Sequence, residues 1–232
     1  MRSYYFIRHG SPHIESSEFN VAGFEKAMLG LMDPPLSVKG RQEALALAEP
    51  VRRLGVERLI SSTLLRASET ASLIAQDTGI PFEHQYDDLK EFAPGAHAPG
   101  ESRILDFLAS PVWPQLAREW FMPKLYRFLV IYYLAQWRIG KTTGGDSLAQ
   151  MREKVYRILS VLDSMPETKI AAVCHGYWIF FLKYVIAGAR KRDLLRYSWV
   201  HTCSVTRVDV LGERCYRVGF YARNMTANDS YF

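Results

Sequence analysis

Arg8-His9-Gly10 follows the apolar run Tyr4-Tyr5-Phe6-Ile7, and His175-Gly176 follows a second run, Ile170-Ala171-Ala172-Val173-Cys174. Both runs are rich in residues that favour buried strands. In an open α/β sheet, residues leaving the carboxyl ends of neighbouring strands converge on one crevice, so two imidazoles far apart in sequence are placed to face each other. A neutral imidazole is a competent nucleophile near pH 7. An arginine beside it offers a planar fork that donates two parallel hydrogen bonds to one phosphate. Arg8 supplies one fork. Arg66 supplies another, within Ser61-Ser62-Thr63-Leu64-Leu65-Arg66-Ala67-Ser68-Glu69-Thr70-Ala71, where a strand end meets a helix start. A cation there opposes the helix dipole, and a bound anion relieves the conflict. The set points to phosphoryl chemistry, in which positioned donors carry the largest share of catalysis.

An ester's alkoxide leaves poorly unless it receives a proton, and a well-placed carboxyl group contributes roughly 10²–10⁴-fold. Glu91, in Asp88-Leu89-Lys90-Glu91-Phe92 after a third strand, fits that role, although Glu83, Asp87, Asp88 and Glu101 lie nearby and loop carboxylates are commonly just solvated. Taken alone, His175 also reads as a core histidine paired to backbone. Cys174 reads as a small core filler rather than half of a Cys/His nucleophile. No metal-ligand spacing appears among the six histidines, so neither zinc nor magnesium is implied.

The elements that must position these side chains alternate between strand and helix. Ser37 caps a helix running to Leu54, with Leu45, Ala48 and Val51 as its apolar stripe and Gly55 as its stop. A strand follows over Glu57–Ser61, then a helix from Leu64 to Asp77 that ends at Gly79. Ser147 and Gln150 form a capping box for a helix carrying Leu148, Met151, Val155, Ile158 and Leu162. A hydrophobic helix follows His175, and strands over Ser204–Val210 and Arg214–Tyr221 close as a hairpin around Leu211-Gly212-Glu213. This alternation predicts an α/β fold with a mainly parallel central sheet and helices on both faces.

Read in order, Arg8-His9-Gly10, Asp33-Pro34-Pro35-Leu36-Ser37-Val38-Lys39-Gly40, the Arg66 segment, the Glu91 loop, Gly144-Gly145-Asp146-Ser147 and His175-Gly176 resemble the histidine phosphatase superfamily, also called the phosphoglycerate mutase-like family. The resemblance covers nearly the whole chain. It implies a three-layer α/β/α sandwich forming one domain over residues 1–232, with 103–143 inserted as a helical cap. It also implies a metal-independent phosphomonoester hydrolase without cofactor: His9 attacks phosphorus and forms a phosphohistidine, Glu91 protonates the leaving group, and His175 donates to the equatorial oxygens. Arg8, Arg66, His175, Gly176 and Ser11 would then bind a small phosphorylated substrate.

Two positions depart from the family pattern. Many members carry a hydroxyl residue and an asparagine where this chain has Pro12 and Glu15. Proline offers no donor and glutamate repels phosphate, so Glu15 is expected to point away or to meet the leaving group. The stretch from Ser11 to Met32 is longer than usual and reads as a flap. Family mutases carry a basic stretch after the acid glutamate, whereas Glu91 precedes Phe-Ala-Pro-Gly-Ala-His-Ala-Pro-Gly, in which only His97 can be cationic. A phosphoglycerate mutase-type phosphotransferase and a phosphate-binding module with little turnover are the two other readings.

At 232 residues and 48% hydrophobic content the chain can bury a sizeable core. Its net charge of +5 suits an anionic small substrate, and the basic residues cluster only at Arg190-Lys191-Arg192, which reads as a solvated helix end or loop rather than a nucleic-acid surface. Three cysteines, Cys174, Cys203 and Cys215, argue against a disulfide framework. The first strand begins within four residues, leaving no room for a signal peptide, and neither Phe128–Ala135 nor Ile170–Gly188 reads as a membrane span; a cytoplasmic location is the expectation. The aromatic-rich stretch Arg103–Thr143, with Trp113, Trp120, Phe121, Tyr126, Phe128, Tyr132, Tyr133 and Trp137, reads first as packing, then as an apolar substrate pocket or a homodimer interface.

Overall fold

The apolar run after Arg2 becomes the first strand, β1 (Ser3–Arg8), buried on both faces. The structure, a computed structural model, describes residues 1–15, 21–96, 132–188 and 200–225. In chain order there follow α1 (Val21–Met28), α2 (Val38–Arg53), β2 (Arg58–Ser62), α3 (Leu65–Thr78), β3 (Phe82–Tyr86), a 3-10 turn (Asp87–Leu89), α4 (Leu148–Ser164), β4 (Lys169–Cys174), α5 (Gly176–Ile186), β5 (Ser204–Gly212) and β6 (Cys215–Asn224). The six strands make one sheet in the order β3-β2-β4-β1-β5-β6. β1, β2, β3 and β4 pair in parallel, while β5 and β6 continue the sheet antiparallel.

Strand alternation divides the core into two layers. Tyr5 and Ile7 of β1 join Leu59, Ala171, Val173 and Val205 against Leu47 and Val51 of α2 and Ala67, Ala71 and Ile74 of α3. Phe6 points to the opposite face and stacks on Trp178 of α5, ring centroids 5.3 Å apart. There α5 packs beside α4, whose Met151, Val155, Ile158, Leu159 and Leu162 are buried. Each large side chain so placed contributes about 1.5–3 kcal/mol of transfer free energy. Helices thus cover both faces of the sheet, the three-layer arrangement expected from the alternation.

Local signals account for most boundaries. Ser37 caps α2, its Oγ accepting from Gly40 N–H at 3.0 Å. The buried stripe of α2 is Ala44, Leu47, Ala48 and Val51, not the expected one through Leu45, which is exposed. Helical geometry explains the correction: Ala44, Leu47, Ala48 and Val51 recur at spacings of three and four, and Leu45 is rotated off that face. α3 stops at Gly79 as expected. The β5–β6 turn falls later than expected, because Gly212 pairs with Cys215 and leaves Glu213-Arg214 as a two-residue loop.

By packing, the chain forms two compact units: one of Met1–His13, Asp33–Glu91 and Leu148–Phe232, the other of Ile14–Met32 and Phe92–Ser147. The second unit thus takes in most of the lengthened stretch after Ser11 together with Phe92–Ser147. Its described part holds α1, a helical stretch over 132–138, and a knot of loops. Gly95 N–H donates to Met28 O, Ala96 bridges Thr143, Trp137 Nε1 donates to Asp146 O at 2.6 Å, and Phe92 lies edge-on to Trp137. Gly95 and Gly145 touch so closely that a Cβ on Gly145 would fall 2.3 Å from Gly95 N. That contact explains the glycine in Gly144-Gly145-Asp146. His97, Glu101, Trp113, Trp120, Phe121, Tyr126, Phe128 and Arg190-Lys191-Arg192 lie outside the described residues. No helix among the described residues is long and apolar enough to cross a membrane.

Candidate active site

Parallel pairing of β1 with β4 sets Arg8 opposite Cys174, so the chain leaves both strands at the same level. His9 N–H extends the ladder by one bond to Cys174 O, 3.0 Å. The two imidazoles then face each other with ring centroids 5.0 Å apart, His9 3% exposed and His175 fully buried.

Hydrogen-bond partners assign the protons on each ring. His9 Nδ1 lies 2.7 Å from Gly10 O, a carbonyl that only accepts, so the proton sits on Nδ1. Nε2 therefore carries the lone pair, and Arg66 Nε donates to it at 3.2 Å. For His175 the partner is Ser62, whose Oγ is 3.0 Å from Nε2. Ser62 Oγ accepts from Leu64 N–H and can give its own proton to His175 Nε2. In that arrangement the His175 proton rests on Nδ1, a buried atom with no hydrogen-bond partner among the described residues. Burial pushes both imidazoles well below their ordinary pKa, with Arg66 and Arg8 adding to the shift at each and His9 adding to it at His175. Both rings are neutral at pH 7.

Two guanidiniums flank the pair. Arg8 donates through Nη1 to Val200 O and lies across the start of α5, where a Cβ on Gly176 would be 3.4 Å from its Nε. That Nε is a second buried donor without a protein partner. Arg66, at the second position of α3, is 9% exposed; burial lowers its pKa, while Glu91 and Asp33 support its charge. Asp33 Oδ1 accepts from Leu65 N–H at 2.7 Å and lies 3.7 Å from Arg66 Nη1. This carboxylate therefore caps α3 from a distance and moderates the cation at its N-terminus.

Glu91 completes the group: one ligand atom each from His9, Glu91 and His175 lie within 4.8 Å of one another. Two histidines and a carboxylate can hold a transition metal. The surrounding charge favours an anion instead, since Arg66 occupies the His9 lone pair a metal would take and Arg8 adds a second positive charge. Orphan donors on Arg8 Nε and His175 Nδ1 fit the same conclusion, because buried polar atoms are normally paired. Cys174 is a core residue whose thiol is pushed well up by burial and Glu91, so it stays protonated.

The structure gathers His9, His175, Arg8, Arg66, Glu91 and Gly176, and it engages Ser11 with Glu43. The Ser11 hydroxyl lies 3.0 and 2.9 Å from the two Glu43 carboxylate oxygens and its N–H donates to the same group, so a side chain of α2 has claimed the donor expected for substrate. Pro12 bridges Leu36 in the first unit, whereas Glu15 belongs to the second. Four residues were not expected here: Ser62, Asp33, Glu43 and Thr70. The Thr70 Oγ1 accepts from Gly10 N–H at 3.1 Å and donates to Arg66 O at 2.7 Å, tying the histidine loop to the arginine's helix. Gly10 and Gly40 meet backbone to backbone; a Cβ on Gly10 would lie 2.4 Å from Gly40 O, and one on Gly40 2.1 Å from Ser11 O.

Comparison with known proteins bears on the family and the fold. The sequence profile of the histidine phosphatase superfamily (branch 1) matches residues 4–106. Over 214 residues the chain is 28% identical to a protein of Salmonella typhi described as probable phosphoglycerate mutase GpmB, covering 90% of this chain and 85% of that one. Its fold is similar to that of mycobacterial glucosyl-3-phosphoglycerate phosphatase, with a TM-score of 0.67 at 19% identity, covering 96% of this chain and 99% of that one. YhfR of Bacillus stearothermophilus gives a TM-score of 0.65 at 22% identity over 97% of this chain and 98% of that one.

Proposed function

We propose that this chain, which belongs to the histidine phosphatase superfamily, hydrolyses the phosphomonoester of a small molecule through a phosphohistidine on His9, without a metal. The observation that carries the reading is the pairing of unlike imidazoles: His9 presents a lone pair at Nε2, and His175 keeps a buried, unpartnered Nδ1, which is a donor when Ser62 gives its proton to Nε2. Nε2 attacks phosphorus in line and the P–O ester bond breaks. Glu91, charged beside Arg66 in the resting site, takes up the proton of a singly protonated phosphomonoester and gives it to the departing oxygen. Arg66 swings its Nε–H hydrogen bond from His9 to a phosphoryl oxygen, and Arg8 and His175 meet the remaining charge. The Nδ1–H bond to Gly10 O supports the positive charge that grows on the His9 ring. In the second half Glu91 takes a proton from water, which attacks phosphorus, and orthophosphate leaves with His9 restored.

A second reading, phosphotransfer of the phosphoglycerate mutase type, has support from the GpmB-like relative. It differs in what accepts the phosphoryl group, water or a second hydroxyl. Incubation with radiolabelled para-nitrophenyl phosphate and alkaline denaturation should leave label on the wild-type protein and none on His9→Ala. Full hydrolysis by folded His9→Ala would overturn the mechanism. Exchange of label between phosphoglycerates far faster than its release as phosphate would favour the mutase.

A further inference from the structure

The residues that carry Glu91 are fixed more firmly than a surface loop requires. Asp88, three positions before it, is gripped from two helices. Arg157 of α4 donates to both carboxylate oxygens, 2.8 Å each, and the indole Nε1 of Trp178 in α5 donates to the Asp88 carbonyl at 2.7 Å. Thr63 Oγ1 donates to Asp87 at 2.6 Å, Lys90 N–H closes the turn on Asp87 O, and Leu89 is fully buried. Glu91 is the last residue of the first unit, after which the chain passes into the second. Glu91 thus follows directly on an anchored turn. Trp178 is itself fully buried, three residues past His175, and stacks on Phe6, three residues before His9. One indole thus touches the elements that bear both histidines and the turn that bears the acid.

We propose that Trp178 and Arg157, by gripping Asp88 from α5 and α4, are positioning residues that hold the Glu91 carboxyl at the leaving oxygen. The inference rests on Glu91 as proton donor. Misplacing a reacting group by about 1 Å can cost up to 10²-fold, so a loosened turn slows the step that needs the proton and spares the step that does not.

The test compares phenyl phosphate, whose phenolate needs protonation, with para-nitrophenyl phosphate, whose phenolate departs unaided. Trp178→Phe, which keeps an aromatic ring and loses the N–H, and Arg157→Met, at a more exposed site, should each lower kcat/KM for phenyl phosphate, which reports the steps through phosphoryl transfer to His9, about tenfold. For para-nitrophenyl phosphate kcat/KM should fall less than about threefold, because the later step in which Glu91 activates water does not enter it. An equal fall on the two esters, or none in folded variants, would overturn the clamp. Glu91→Gln in the same panel separates the two ideas. If it discriminates between the esters and the clamp variants do not, only the clamp fails; if it does not discriminate, or the wild type turns over neither ester, the reading beneath it fails and the clamp with it.

Discussion

His9 and His175 leave adjacent parallel strands at the same level, each is followed by glycine, and each is buried, yet their surroundings differ in kind. Both nitrogens of His9 are engaged, by the Gly10 carbonyl and the Arg66 guanidinium. His175 is engaged on one side only. The glycines differ as well: Gly10 is wedged against the Gly40 backbone, whereas Gly176 starts a helix beneath a side chain. The same strand-to-turn pattern thus yields a lone pair at one corner and a free donor at the other. What separates them is one hydroxyl, Ser62, and one carbonyl, Gly10 O.

Removing either ring tests the contrast most directly. His9→Ala should lower kcat about 10⁴-fold and abolish the labelled phosphoenzyme. His175→Asn should cost about 10²–10³-fold in kcat while label is still trapped on His9. Gly10→Ala must move backbone, so urea unfolding should show a loss of about 1–3 kcal/mol or more, whereas the Cβ of Gly176→Ala would meet the Arg8 side chain at an ordinary contact distance of 3.4 Å and should leave the urea midpoint nearly unchanged. Ser62→Ala frees His175 to change tautomer; kcat should fall about tenfold, and the nitrogen shifts of labelled His175 should report loss of the Nδ1–H form. Equal nitrogen shifts in the two proteins would remove the assignment.

The smallest effect concerns acid. Both imidazoles have folded pKa values below the unfolded value of about 6.5, so below that pH the unfolded chain takes up protons that the folded one does not. Their contribution to stability is whole above about pH 6.5 and is lost as pH falls from there. The urea midpoint should drop over that window, and His175→Asn should make the drop shallower.

The sequence reveals the parts of this site that sit next to regular structure. His9 and His175 follow apolar runs and Arg66 stands at a helix start, so element ends place them; Glu91, one of several carboxylates after the third strand, is singled out mainly by its position in the family pattern. Ser62, Thr70, Asp33 and Glu43 act through bonds to residues brought near only by folding; no local spacing marks them. Ser11 shows the converse: the motif beside it marks its hydroxyl, but nothing local marks the bond that hydroxyl makes to Glu43, 32 positions away. In α2 the helix itself was legible and its register was not, because Leu45 and Leu47 are alike in type and only packing against the sheet chooses between them.

Asp33 gives the resting site its own counter-ion. Its carboxylate stands 3.7 Å from the Arg66 guanidinium and holds the first N–H of α3, so the basic centre is already partly neutralised before any ester arrives. On the proposed reaction, an incoming phosphate shares the Arg66 guanidinium with a resident carboxylate rather than filling a bare positive hole. The attraction between that cation and the ester is weaker for it, and added salt, which screens both, weakens it further.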